Sequence, residues 1–208
     1  MRESALRGLY LVTPEESDTA RLVARIGQAL AGRPALLQYR SKRADARLRG
    51  EQVRRVAALC RNAGVPFVVN DSLELALEHG ADGVHLGRDD GDLSAARRAL
   101  GAGRILGVSC YDEWACAEAA VAAGADYVAF GAVFASPTKP AAVRAPLELF
   151  ARAKRELRVP LAAIGGITLD NASQAVAAGA DLLAVISDVF DAPDPGARTA
   201  AYRDLFAT

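Results

Sequence analysis

The sequence predicts an α/β fold, a (β/α)8 barrel of the TIM type formed by residues 1–208 as one domain. Three observations predict it. Eight short apolar runs alternate with eight segments whose apolar residues recur at helical spacing, and no low-complexity linker or composition break separates them. The tripeptide Gly-Ala-Asp closes a helix-like segment and precedes an apolar run at 80–82, 124–126 and 179–181. No apolar run is followed by G-x-G-x-x-G, which argues against an open dinucleotide-binding sheet. At about 26 residues per unit the barrel is compact, below the ~250 residues typical of the fold.

The elements follow in order. Gly8 to Thr13 reads as a strand, broken by Pro14 and Asp18, and Leu22, Val23, Ile26 and Leu30 mark a helix over Thr19 to Ala31 that Gly32 ends. The pattern recurs as strand Ala35 to Arg40 with helix Leu48 to Asn62, strand Phe67 to Asn70 with helix Leu73 to His79, and strand Gly83 to Gly87 with helix Leu93 to Leu100. Strand Ile105 to Ser109 precedes helix Glu113 to Ala123, with Asp112 the expected N-cap. Strand Tyr127 to Phe130 precedes helix Leu147 to Leu157, strand Leu161 to Ile164 precedes helix Asp170 to Ala178, and strand Leu182 to Ser187 precedes helix Pro195 to Phe206. Prolines fall before strands (Pro66, Pro160) or at helix starts (Pro146, Pro195), where a missing N–H costs little.

A 51% hydrophobic content supplies a core, and 25 basic residues balance 25 acidic ones. With no global field, nucleic acid and anionic membranes are not expected partners, and any anion site must be local. The N-terminal residues carry no signal-peptide core and no run approaches the ~18 apolar residues of a membrane span, so a cytoplasmic location is expected. A homo-oligomer is compatible with the sequence. Three cysteines without a C-x-x-C pair and two histidines argue against a disulfide framework, a zinc site and a hydrolase triad.

In a parallel barrel the chemistry lies at the C-terminal strand ends. The run Val128 to Phe130 opens at Gly131 into a long segment carrying Ser136, Thr138 and Lys139, two hydroxyls and an ammonium suited to phosphate oxygens. Strand two ends Gln38-Tyr39-Arg40-Ser41-Lys42, and alternation sends Gln38, Arg40 and Lys42 to one face and Tyr39 to the other. Two cations on an inner face call for an anion. Asn70-Asp71 ends strand three, and Arg88-Asp89-Asp90 follows strand four. Adjacent strands lie ~5 Å apart, so these carboxylates could share magnesium, which takes one or two carboxylates, phosphate oxygens and waters; equally, Asp71 and one of Asp89 and Asp90 could begin the next helices. His85 reads as a hydrogen-bonded core residue. Ser109, ending strand five, could orient a substrate or satisfy backbone, and Cys110 and Cys116 read as packing. Gly165-Gly166 after strand seven and Ile186-Ser187 after strand eight form the pair of exits that often builds a phosphate site. Two anion subsites and no evident nucleophile point to a dissociative transfer, in which the protein stabilises a departing metal-bound diphosphate and excludes water.

Over essentially its whole length the sequence resembles the thiamine-phosphate synthase family. The resemblance rests on Gln38-Tyr39-Arg40-Ser41-Lys42, Val69-Asn70-Asp71, Gly83-Val84-His85-Leu86-Gly87, Gly107-Val108-Ser109, Ser136-Pro137-Thr138-Lys139, Ala163-Ile164-Gly165-Gly166-Ile167 and Ala184-Val185-Ile186-Ser187. It implies coupling of 4-amino-2-methyl-5-hydroxymethylpyrimidine diphosphate with 4-methyl-5-(2-hydroxyethyl)thiazole phosphate, giving thiamine phosphate and pyrophosphate through a pyrimidinylmethyl cation. By position it places Gln38, Arg40, Lys42, Asn70, Ser109 and Lys139 on the pyrimidine diphosphate and Asp71 and Asp90 on Mg2+. Among these, Lys139, Ser109 and Arg40 take the catalytic roles. Ser136, Thr138, Gly166, Ile186 and Ser187 fall on the thiazole phosphate side. Arg88 departs from the glutamine usual after His-Leu-Gly, and Ser72 from the charged residue common after Asn-Asp. A thiazole tautomerase of the same fold, which needs proton-transfer groups, and a non-catalytic thiamine-phosphate binder are the rival readings.

Overall fold

The computed structural model describes residues 6–135 and 144–207. Eight parallel strands close on themselves in sequence order. They are β1 (Gly8–Val12), β2 (Leu36–Tyr39), β3 (Phe67–Asn70), β4 (Gly83–Leu86), β5 (Ile105–Tyr111), β6 (Tyr127–Gly131), β7 (Leu161–Ile164) and β8 (Leu182–Val185). The helices are α1 (Thr19–Leu30), α2 (Ala46–Ala63), α3 (Leu73–Glu78), α4 (Leu93–Leu100), α5 (Trp114–Ala122), α6 (Glu148–Glu156), α7 (Leu169–Ala178), α8 (Ser187–Phe190) and α9 (Pro195–Asp204). The expected fold is the observed one.

The two faces of each strand go to different places. One alternate set, including Leu9, Leu11, Leu37, Tyr39, Val69, Val84, Val108, Phe130 and Leu183, packs outward against the helices. The other, including Tyr10, Val12, Leu36, Val68, Tyr127, Ala129, Ala162 and Leu182, fills the barrel interior. Tyr39 accordingly turns away from the interior and donates its hydroxyl proton to Gln52 of α2 at 2.7 Å. Tyr127 needs room across the barrel, and Gly107 supplies it, because a side chain there would run into the Tyr127 ring.

The Gly-Ala-Asp repeat has a physical function at the N-terminal end. Its aspartates accept a backbone N–H from the first or second residue of the preceding strand: Asp82 from Phe67 at 2.8 Å, Asp126 from Leu106 at 2.7 Å and Asp181 from Leu161 at 3.0 Å. The Asp181 carbonyl also accepts from Gly8 at 2.8 Å, which helps close β8 onto β1. Where a barrel strand begins, one carboxylate thus satisfies an N–H that the sheet ladder leaves over.

Three local expectations are corrected. The last unit contains an extra helix, α8, because β8 stops at Val185 and the chain turns at Ile186 instead of extending to Ser187. Glu113, not Asp112, stands at the N-cap of α5, and it makes no side-chain capping bond. β5 runs past Ser109 to Tyr111 through a register shift between Ser109 and Tyr111 that the alternation pattern does not reveal.

Asp181→Ala should lower stability by about 1–3 kcal/mol, since it leaves the Leu161 N–H, in a fully buried residue, without its acceptor. At about 2–4 °C per kcal/mol for a chain of this size, thermal denaturation should reveal the loss, and an unchanged midpoint would show that the repeat does not hold the strands.

Candidate active site

The exit of β2 is held by a reciprocal bond to β1. The Arg40 N–H donates to Thr13 Oγ1 at 2.8 Å, and the Thr13 hydroxyl donates to the Arg40 carbonyl at 3.1 Å. Gln38 lies inside the barrel, Arg40 is half-buried, and Lys42 is exposed. The sequence reading missed Glu15, which accepts from the Lys42 N–H at 2.7 Å and the Ser41 hydroxyl at 2.8 Å and lies 3.9 Å from the Arg40 guanidinium. Part of the counter-charge demanded by the two cations is therefore internal. Burial alone would raise the Glu15 carboxyl, but these bonds and the Arg40 charge outweigh it and hold the group below its ordinary value.

Across the mouth, the two candidate helix-start aspartates do not cap helices. Ser72 caps α3 through the Leu75 N–H, and Asp92 caps α4 through the Ser94 and Ala95 N–H groups. Asp71 instead sits at φ 61°, in the left-handed region, and half-buried Asp90 curls back to accept the Gly87 N–H at 2.6 Å. Asp89 is exposed. The Asp71 carboxyl, although reached by solvent, is raised above its ordinary value, first by the protein around it and then by the facing Asp90, while Lys42 and Arg40 pull it down. Two carboxylates held against one another beside two cations have the chemistry to take a divalent ion together with an anion. Among the described residues no group of three or more His, Cys, Asp or Glu converges, so the donor set suits an ion completed by substrate oxygens and water rather than a closed protein cage. Arg88 does not enter this site: its guanidinium pairs with Glu113 and lies 5.0 Å from the Tyr111 ring centroid, towards the exit of β5.

Asn70 ends β3 half-buried, beside His85 in the β3–β4 register. His85 is hydrogen-bonded in the core as expected, to the Tyr127 hydroxyl through Nδ1 and to Ser109 Oγ through Nε2, both at 2.8 Å. Burial pushes its imidazole down to about 4, so it is neutral near pH 7.

The other side of the mouth is built by β6, β7 and β8. Gly165 and Gly166 have φ of 99° and 64°, and a side chain on Gly166 would strike the carbonyls of Phe134 and Ala135. The Phe134 N–H donates to the Gly165 carbonyl at 3.0 Å, and Asn171, a residue the sequence reading missed, donates its amide to the Gly166 carbonyl at 3.0 Å. Ile186 and exposed Ser187 open α8, whose first turn has N–H groups without intrahelical acceptors. Asp188 anchors this turn by accepting the Tyr202 hydroxyl at 2.7 Å. Ser136, Thr138 and Lys139 lie outside the described residues.

Gln38, Arg40, Lys42, Asn70, Asp71, Asp90 and Ser109 thus gather at the exits of β2 to β5, and Gly166, Ile186 and Ser187 at those of β7 and β8. Residues 9–189 match the thiamine monophosphate synthase family model. The chain belongs to this family. It is 75% identical over 206 residues to a thiamine-phosphate synthase of Aromatoleum aromaticum, covering 99% of each chain, and 61% identical over 202 residues to one from an Azoarcus species, covering 97% and 98%. A solved thiamine phosphate pyrophosphorylase from Pyrococcus furiosus superposes with a TM-score of 0.85 at 32% identity, covering 98% of this chain and 96% of that one. The activity is therefore that of a thiamine-phosphate synthase, a transferase. No helix among the described residues is long and apolar enough to cross a membrane.

Asp71→Asn should separate stability from function. Because the folded Asp71 pKa is raised, its contribution to stability is present in acid and is lost as pH rises through that raised value. Asparagine removes the charge and accepts the left-handed backbone, so the metal-free variant should melt at or above the wild-type midpoint near pH 8, with the gap closing in acid. A lower midpoint at pH 8 would mean that Asp71 and Asp90 do not repel.

Proposed function

We propose that this chain joins 4-amino-2-methyl-5-hydroxymethylpyrimidine diphosphate to 4-methyl-5-(2-hydroxyethyl)thiazole phosphate, with Mg2+ as cofactor. The observation that carries this reading is the opposed pair Asp71 and Asp90 beside Arg40 and Lys42. Such a pair favours an ion that brings its own anion, and a diphosphate ester supplies one. Asp71 and Asp90 would hold Mg2+, which when bound neutralises charge on the diphosphate.

The bond between the pyrimidine methylene carbon and the diphosphate oxygen breaks, and its electron pair leaves with pyrophosphate. The resulting cation is stabilised by the ring's amino group, and the thiazole nitrogen lone pair forms the new C–N bond. Arg40, Lys42 and Lys139 would stabilise the leaving charge, while Gln38, Asn70 and Ser109 orient the pyrimidine ring over the barrel axis. On the opposite side Gly166, Ile186, Ser187, Ser136 and Thr138 would seat the thiazole phosphate, so the nucleophile arrives across the mouth from the leaving group. The barrel interior below is filled with side chains, which keeps water from the cation's lower face. Phosphorylated substrates fit a cytoplasmic enzyme. The tautomerase reading is disfavoured by His85, which is neutral, buried and already bonded at both nitrogens.

Formation of thiamine phosphate and pyrophosphate from the two substrates, with a dependence on Mg2+, tests the reading directly. No product at any Mg2+ concentration would overturn it. Asp90→Asn should cut the rate by orders of magnitude and raise the Mg2+ requirement, whereas Asp89→Asn, on an exposed side chain, should change either by less than about threefold. The opposite ranking in matched magnesium titrations would move the metal site to Asp89.

A further inference from the structure

A single file of side chains crosses the barrel beneath the mouth. Gln38 Nε2 lies 2.5 Å from the Tyr10 hydroxyl, which is 2.7 Å from the Tyr127 hydroxyl, itself 2.8 Å from His85 Nδ1; His85 Nε2 reaches Ser109 Oγ at 2.8 Å. Five strands contribute, β2, β1, β6, β4 and β5 in that order. Tyr10, Tyr127, Gln38 and His85 are between 0% and 6% exposed, so within the file no bond can be exchanged for one to bulk water. The Tyr127 ring is fixed by an edge contact to Tyr10 and by stacking on His85, each with centroids 5.6 Å apart.

Proton counting gives the file a direction. With the Gln38 amide turned so that Nε2 faces Tyr10, the nitrogen donates, the Tyr10 oxygen accepts and its one proton goes to Tyr127. The Tyr127 proton then goes to Nδ1 of His85, which leaves the imidazole proton on Nε2, and Nε2 donates to Ser109. At the end of the file Ser109 has accepted, and its own proton is free to point into the mouth. Run the other way, the file would set the Tyr10 proton against Gln38 Nε2, two donors facing each other, and would require the amide to turn over and present Oε1. Burial raises both tyrosine pKa values above the ordinary phenol and lowers that of His85, so every member keeps the proton count used here.

We propose that Gln38, Tyr10, Tyr127 and His85 form a one-way hydrogen-bond file that holds His85 as its Nε2–H tautomer and Ser109 as a donor towards the substrate. Tyr10, Tyr127 and His85 are positioning residues acting through Ser109, and Gln38, which also faces the pyrimidine in the reading above, sets their direction. The hydroxyl then selects a hydrogen-bond acceptor on the pyrimidine, a ring nitrogen or an ester oxygen, and disfavours a donor such as an amino group at that point. This assignment of the partner rests on the substrates proposed above, whereas the tautomer does not.

The tautomer can be read without activity. The chain has only two histidines, so a long-range 15N–1H spectrum of the wild type at pH 8, assigned with His79→Gln, isolates His85. The expected signature is an unprotonated Nδ1 and a protonated Nε2; the reverse pattern overturns the proposal. Gln38→Glu, which can turn a carboxyl oxygen as an acceptor to Tyr10, should reverse the file to the Nδ1–H tautomer; an unchanged spectrum would show that Gln38 does not set the direction. For the link to substrate, His85→Leu should raise the KM for the pyrimidine diphosphate about 3- to 10-fold, the value of one hydrogen bond, with the thiazole phosphate KM unchanged and partial rescue in His85→Gln, whose amide can still donate. In a Ser109→Ala background the same His85→Leu change should cost nothing further. An equal penalty in both backgrounds overturns action through Ser109. Failure of the wild type to form product would count against the substrates and leave the tautomer result standing.

Discussion

The two-residue period of a strand, closed into a parallel barrel, is the constraint on which everything else depends. A closed sheet gives each strand one inward set of side chains, and each strand is so short that only two or three of that set lie between the floor and the mouth. Leu36, Gln38 and Arg40 of the second unit show the sequence of environments this imposes: apolar floor, buried amide, half-buried cation. The chemical character of the site is therefore graded along the barrel axis. Polar groups that cannot reach water join one another, and those one pleat higher face the ligand.

Much of this was legible because the constraint acts on sequence directly. Alternation placed Gln38 and Arg40 inside and Tyr39 outside, and the Gly-Ala-Asp spacing marked the strand starts. What alternation cannot express is which polar residue satisfies which. Glu15 follows a strand by several residues and looks like solvated loop, yet it organises the exit of β2 through bonds to backbone and side chain. Tyr10 and Tyr127 read as apolar bulk in strand runs, although each has a hydroxyl that a closed interior must satisfy. Gly107 was the available signal for Tyr127, since a glycine in the middle of a buried strand calls for a close neighbour. Helix α8 escaped for a different reason: four residues are too few to display a helical period.

The two sides of the mouth offer an anion different kinds of group. On the β2–β4 side the charges are explicit, and Glu15 on one cation and Asp90 against Asp71 show that opposite and like charges are both set close together. Such an arrangement is unfavourable for Asp71 in isolation, in backbone conformation as well as in charge, and the divalent ion proposed above would relieve the charge part. On the β7–β8 side the described residues carry little formal charge; turning backbone at Gly165, Gly166 and Ser187 provides N–H dipoles instead. A metal-bearing diphosphate suits the first environment and a simple phosphate the second, so the partition follows from the kinds of group each strand end can offer.

The hydrogen-bonded file below the mouth connects these observations to the fold. A purely apolar plug would seal the barrel equally well and would avoid the cost of burying two phenol hydroxyls, an amide and an imidazole. The polar plug satisfies each of its members only if all are present, because removing one leaves a buried donor or acceptor on each side of the gap. In the proposed file that interdependence gives the Ser109 hydroxyl, at the exit of β5, a fixed orientation in a mouth that also carries exposed charges such as Lys42. Charge can draw a diphosphate in from several angles, since Coulomb attraction is weakly directional; a hydroxyl whose proton is committed to one direction discriminates between orientations of the ring that carries it. On the proposed reading the barrel floor would determine geometry where the rim determines affinity.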